Sequence, residues 1–204
     1  MLVQGVIDLA KNGELSNLSV KEDTQAVLGY INLGLIELYK RFVLEVKEYI
    51  IELQDNKEIY DMPADFMWVI AAYGEVDETS TETVNVLPVN VEDNPLSINT
   101  VSWNKIQVPL SIPGSFISII YASSPPTLTT NNISEPIPLP VQLVEALLHY
   151  VGYRAHMSMD GNIQAENNTH YQRFELACKR AKLDGVLTAD DVDMSARLRL
   201  RGFV

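Results

Sequence analysis

The sequence predicts an α+β protein: helical regions at both ends flank a central antiparallel β-rich region, and an extended C-terminal tail follows. Three observations predict it. Apolar residues recur at helical spacing near the start of the chain and again after residue 140. Between them Val, Ile and Phe alternate with polar residues among Pro and Gly punctuation, the pattern of short strands separated by turns. The ten prolines concentrate between residues 62 and 140.

In order along the chain, Val3, Val6, Ile7 and Ala10 form a first helical stripe, and Asn12-Gly13 supplies its stop. A second helix carries Val27, Ile31, Leu35, Leu38 and Phe42 on one stripe. Gly29 and Gly34 each weaken it by about 1 kcal/mol relative to Ala, so close packing against a neighbour is the reason expected for them. The pattern changes near Phe42 or Leu44 to the alternation of a strand running toward Gln54, and Asp55-Asn56 reads as a turn. EIYDMPADFMWVIAAYGEV holds a proline outside any central strand and then an apolar run suited to one. EVDETSTETV is an acidic, hydroxyl-rich loop, and short antiparallel strands continue beyond it. After Leu139-Pro140, Leu143, Ala146, Leu147, Tyr150 and Val151 share a helix face broken by Asp160-Gly161-Asn162. A last helix with His170, Phe174 and Ala177 ends at Gly185. The parts are therefore residues 1–44, an N-terminal helical part; 45–138, β-rich; 139–185, a C-terminal helix pair; and 186–204, a tail. Leu143, Leu147, Tyr150, Phe174 and Ala177 are expected to share a core with Val27, Ile31 and Leu35.

Composition excludes several functions. The 204 residues are 47% hydrophobic and 21% charged, a globular rather than a disordered balance. Lys and Arg number 15 against 27 Asp and Glu, for a net charge of −12, which disfavours sequence-specific DNA binding. One cysteine, Cys178, excludes an intramolecular disulfide framework and is expected to be an apolar helix residue. No apolar run of about 18 residues suggests a membrane span. No basic head followed by an apolar run suggests a secretory signal, so a soluble protein made inside the cell is expected. Charge is uneven: residues 62–140 hold eight acids and one base, Lys105, whereas SARLRLRGFV at the end holds three arginines and no acid.

No catalytic constellation emerges. HExxH, GxSxG, Walker and GxGxxG patterns are missing from the sequence. The three histidines are His149, His156 and His170. His149 and His156, seven apart on one helix, lie about two turns apart, too far to chelate one metal together, and read as core or interface residues. Glu75, Asp77, Glu78 and Glu82 lack the spacing of a calcium loop and read as a solvent-facing or tail-facing acidic loop; Asp190, Asp191 and Asp193 read the same way. Trp68 and Trp103 read as core or interface aromatics. No catalytic, cofactor or metal residues are expected.

One stretch resembles a known family. Tyr121-Ala122 with Pro125-Pro126, Leu139-Pro140, Tyr150 with Tyr153-Arg154-Ala155, and His170-Tyr171 with Phe174 resemble the C-terminal half of tailed-phage head-to-tail adaptor proteins of the podovirus type. Met62-Pro63-Ala64-Asp65-Phe66 resembles that family's Leu-Pro-x-Asp-Phe strand start, with Met in place of Leu. The likeness covers roughly residues 20–183 in organisation and is specific over 116–176. It implies a structural virion protein without enzymatic activity: a helical bundle of N- and C-terminal helices with an inserted β-domain. It also implies assembly into a dodecameric ring that docks under the portal, joins capsid to tail and lets double-stranded DNA pass during ejection. Assembly in the host cytoplasm, a portal partner and a tail-nozzle partner follow from the same resemblance. A net charge of −12 suits a lumen that repels phosphates. Another tail ring or nozzle component is the alternative, and a small binding module or enzyme a more distant one.

The tail is expected to carry the portal contact. Its Arg-Leu-Arg-Leu-Arg alternation places like charges on one face and offers too little apolar surface to order the segment alone. Arg197, Arg199 and Arg201 suit carboxylate partners, and Leu198, Leu200 and Phe203 suit apolar pockets.

Overall fold

A computed structural model describes residues 1–75, 85–159, 169–186 and 188. The chain divides into two compact units. Among the described residues, one comprises Met1–Leu44 and those from Pro125 onward, and the other comprises those of Glu45–Ser124.

The helical unit begins with α1 (Val3–Asn12), whose Val3, Val6, Ile7 and Ala10 are all buried. Its first amides have no side-chain cap and are satisfied from a distant segment: Val3 N–H donates to the Glu135 carbonyl and Gln4 N–H to that of Ile133, both at 2.9 Å. A short 3₁₀ turn (Ser19–Glu22) precedes α2 (Thr24–Arg41), whose start at Thr24 is set one turn before its first stripe residue, Val27. The reason is local: the Asp23 carboxylate accepts the amides of Gln25 and Ala26 at 2.9 and 3.1 Å and fixes the N-cap. The stripe Val27, Ile31, Leu35, Leu38 and Phe42 is buried, and Phe42 leaves the helix with extended backbone.

The chain returns to this unit at Pro125, so residues 125–138 belong with the helices, although their prolines suggest the β-rich region. Leu128 and Ile137 are buried in the helical core, which is why the segment is held there. The Asn32 side chain on α2 clamps it, donating to the Leu128 carbonyl and accepting the Leu128 amide, both at 2.8 Å. A second 3₁₀ turn (Val141–Leu143) leads into α3 (Val144–Met159), and α4 (Thr169–Leu183) follows. Leu143, Leu147, Phe174 and Ala177 are buried in the same cluster as Val27, Ile31 and Leu35, while Tyr150 is half-buried beside them. Cys178 is buried on α4, and burial pushes its thiol up to about 11. Helix α4 ends in a Schellman arrangement. Gly185 takes φ +87°, the Val186 amide donates to the Ala181 carbonyl, and the Gly185 amide donates to that of Lys182. No described helix is long and apolar enough to cross a membrane.

The other unit is antiparallel. Its strands are β1 (Val46–Glu52), β2 (Ile59–Asp61), β3 (Phe66–Glu75), β4 (Asn85–Leu87), β5 (Asn99–Ser102), β6 (Lys105–Gln107) and β7 (Phe116–Ser123). Among the described residues they form one sheet in the order β1-β7-β3-β4 and another in the order β2-β6-β5. Strand β7 lies between β1 and β3 and is buried almost throughout, which is why FISIIYAS reads as a near-continuous apolar run. Ile117, Ile119 and Tyr121 share one core with Tyr60, Ile98 and Ile106, while Ile120 on the opposite face packs with Ala71 and Tyr73. Strand β3 pairs with β7 through two register shifts, around Met67 and Ile70, which twist it locally.

The two glycines of α2 differ. A methyl group on Gly34 would lie 2.5 Å from Leu147 Cδ1 and 3.3 Å from Tyr150 Cδ1, so this glycine allows α2 and α3 to approach. Gly29 is exposed and a methyl group there meets no atom within 4 Å, so packing does not explain it. Gly29→Ala is therefore expected to raise stability by up to about 1 kcal/mol through helix propensity. Gly34→Ala is expected to lower it by roughly 1–3 kcal/mol through overpacking. Thermal or urea unfolding of the two variants checks the opposite signs. Leu147, fully buried, is expected to cost about 2–5 kcal/mol on replacement by Ala, read as a lowered urea midpoint.

Candidate functional site

Three groups of side chains account for most of the residues that the sequence singles out. The first lies where β3 begins. Phe66 pairs in register with Ser123 and Trp68 with Ala122, so the Asp65-Phe66 and Tyr121-Ala122 motifs lie side by side. Asp65 accepts Lys47 Nζ at 2.6 Å and the Tyr121 hydroxyl at 3.1 Å, and its carbonyl accepts the Ser124 amide at 2.7 Å. The Phe66 and Tyr121 rings lie 5.8 Å apart. Partial burial pushes the Asp65 carboxyl up, but the Lys47 and Tyr121 hydrogen bonds outweigh it and leave the group below its ordinary range. Burial and the Asp65 carboxylate together push the Tyr121 hydroxyl up to about 12. This arrangement latches the β3 start to the end of β7 and offers no reactive group.

The second group lies within the helical unit. Tyr150 packs on Tyr153 and Phe174 at centroid separations of 5.7 and 5.1 Å, and Tyr171 packs on Tyr153 and Phe174 at 5.1 and 5.8 Å. Arg41, the last residue of α2, lies 4.6 Å over the Phe174 ring. Its guanidinium donates to Glu37 at 3.0 Å and to Glu175 at 2.8 Å. Burial opposes its charge, yet the hydrogen bonds to Glu175, Tyr171 and Glu37 prevail and keep it protonated. The Tyr-x-x-Tyr and His-Tyr-x-x-Phe patterns are thus explained as the aromatic contact of α3 with α4, tied to α2 by one arginine.

The third group was not legible in the sequence. Glu14, just beyond α1, places Oε1 3.0 Å from His149 Nδ1 and Oε2 2.7 Å from His170 Nδ1. The ligand-capable atoms of the three residues all lie within 4.8 Å of one another, and the three side chains are largely shielded from solvent. His149 Nε2 faces Glu145 Oε1 at 3.7 Å. His156 stacks on His170 with centroids 4.7 Å apart and planes 16° apart. Gly152 makes room for the group: a methyl group there would lie 2.9 Å from His170 Nδ1 and 3.2 Å from Glu14 Oε2. Burial lowers the His170 pKa; the Glu14 carboxylate opposes this, and His156, Arg173 and His149 reinforce it. Spacing correctly separates His149 from His156, but nothing in it indicates that α4 and the turn after α1 bring His170 and Glu14 to His149.

The residues expected to meet partners are placed less fully. Arg197, Leu198, Arg199, Leu200, Arg201 and Phe203 lie outside the described residues, as do Asp77, Glu78, Glu82, Asp190, Asp191 and Asp193. Glu75 closes β3 in register with Phe116. The first residues of the tail turn back on their own unit: Thr188 forms an antiparallel bridge with Phe42 and accepts Lys182 Nζ at 3.3 Å. Trp103 is no core residue. It stands 74% exposed at the turn between β5 and β6, whereas Trp68 is half-buried.

Asp65 titration is expected to show in the stability of the β unit. Its folded pKa is depressed, so the stabilisation is present above the ordinary carboxylate value of about 4 and fades as pH falls through the lower folded value. Asp65→Asn is expected to lose about 1 kcal/mol near neutral pH, because the group is half-buried and solvent screens its ion pair. The gap from the parent should close as pH falls below the depressed folded value, as measured by urea unfolding across pH.

A family model described as SU10 adaptor protein matches residues 2–201, nearly the whole chain. No curated protein matches it.

Proposed function

The chain belongs to the SU10 adaptor protein family, a family of phage head-to-tail adaptors, and we propose from this that it forms the ring joining the portal to the tail. The match over residues 2–201 is the observation that carries the reading, since it spans both compact units rather than one motif. In this reading the N- and C-terminal helices form the bundle of each protomer, and twelve protomers close around the path of double-stranded DNA. The protein acts by association and not by catalysis, as a structural component of the virion.

Physical features of the chain support the parts of this proposal. A ring protomer needs two different complementary surfaces, one for each neighbour. Large apolar side chains stand exposed in both units, among them Trp103 and Leu110 in the β unit and Val141 and Leu183 in the helical unit. Exposed aromatic and aliphatic anchors of this kind are enriched at protein interfaces. A net charge of −12 disfavours adhesion of DNA phosphates during passage. Residues 195–204 carry three arginines and no acid, which suits a carboxylate-lined or carbonyl-lined site on the portal. In this reading Glu75, Asp77, Glu78 and Glu82, of the opposite charge, would meet solvent or the next tail protein.

Two measurements test the proposal. Negative-stain images and native mass of the protein mixed with its portal are expected to show a ring of about twelve protomers of 22.8 kDa beneath the portal; a monomer in every condition would oppose the ring. Deletion of residues 195–204 is expected to leave far-ultraviolet circular dichroism unchanged and to reduce portal pull-down. Full-length efficiency in the truncated protein would reject the tail as the portal contact.

A further inference from the structure

We propose that Glu14, His149 and His170 form a binding site for one divalent transition-metal ion of the zinc class. The ligands are the Nδ1 atoms of the two imidazoles and a carboxylate oxygen of Glu14. The proposal is independent of the adaptor reading and concerns how the helical unit is held together.

The ligand chemistry matches the ion. Imidazole nitrogen and carboxylate oxygen suit zinc, cobalt and nickel, whereas calcium and magnesium take oxygen ligands almost exclusively. Zinc binds such atoms at about 2.0–2.2 Å, so neighbouring ligand atoms of a tetrahedral site lie roughly 3.3 Å apart. The nitrogen–oxygen separations of 3.0 and 2.7 Å, one to each oxygen of Glu14, are near that spacing, and one ligand atom from each residue falls within 4.8 Å of the others. Seating the ion closes the widest of these gaps by up to about 1.5 Å and leaves a fourth position for water.

The surroundings are those of a built site. The His149 Nδ1 atom is buried and makes no hydrogen bond of acceptable geometry, even though Glu14 Oε1 lies 3.0 Å away. A buried polar atom in that condition calls for a partner. Glu145, one turn earlier on α3, stands 3.7 Å from His149 Nε2, where a carboxylate can orient a ligating imidazole through its other nitrogen. His156 stacks on His170 and fixes the plane of that ring. Gly152 keeps a side chain out of the space beside Glu14 and His170. Of the chain's three histidines, His149 and His170 join Glu14 in the group and His156 stacks on His170.

An ion here would tie the turn after α1 to α3 and α4. The test uses the full-length protein without a histidine tag, stripped with EDTA and then dialysed against Zn²⁺ or Co²⁺. One equivalent of bound metal is expected, with visible cobalt absorption. Zn²⁺ at a hundredfold excess over Kd is expected to raise Tm by about 5–10 °C. Glu14→Gln and His149→Asn should each weaken uptake at least tenfold while circular dichroism stays unchanged. If either fails to fold, His170→Asn reads the same contact, and Gly152→Ala, which retains every ligand, should also weaken binding. Less than about a tenth of an equivalent on the parent protein, where one is expected of a site of this kind, would overturn the proposal and leave a carboxylate bridging two imidazoles. Unaltered uptake in the folded variants would overturn it equally.

Discussion

Leu147 against Gly34 is the contact on which the helical unit depends. Helix α2 comes before the β unit in the chain and α3 after it, so nothing local holds them together. Packing must do so, and the absence of a side chain at Gly34 lets the fully buried Leu147 come close to the α2 backbone. The apolar stripe of α2 and the buried residues of α3 and α4 then form one continuous core. Hydrophobic burial of this kind is non-directional, so the approach distance at Gly34 and the aromatic contacts beyond it are what select one arrangement.

The polar contacts follow from that packing. With α2 seated on α3, Arg41 at the end of α2 reaches Glu175 and the Phe174 face on α4, linking these two helices. Asn32 holds the returning segment through both the nitrogen and the oxygen of its side-chain amide, and that segment in turn satisfies the first amides of α1. Each bond is modest in net energy, but a buried backbone group left without one is costly. The returning segment therefore behaves as part of the helical unit despite its irregular backbone. The β unit has a comparable organising element in β7, flanked on both sides and buried on both faces. The Asp65–Lys47–Tyr121 cluster secures the end of that strand against the start of β3.

These contacts also account for the family motifs. Asp65-Phe66 touches Tyr121, and the Tyr150, Tyr153, Tyr171 and Phe174 rings touch one another. The most recognisable residues are therefore the internal joints of each unit.

The sequence by itself determined the class of the fold, the order of its helices and strands, and most of the core. Helical and alternating periodicities report which face of each element is apolar, and the stripe Val27, Ile31, Leu35, Leu38 and Phe42 is buried as its spacing requires. Local chemistry also reported the stops at Gly13 and Gly185, because capping depends on adjacent residues. Tertiary structure alone decided what distant segments do to one another. It separated Gly34, which a neighbour requires, from Gly29, which none does. It drew residues 125–138 into the helical core and left Trp103 in solvent, because burial depends on what the rest of the chain brings nearby. It also brought Glu14 to His149 and His170, three residues from three parts of the chain whose spacing carries no common period.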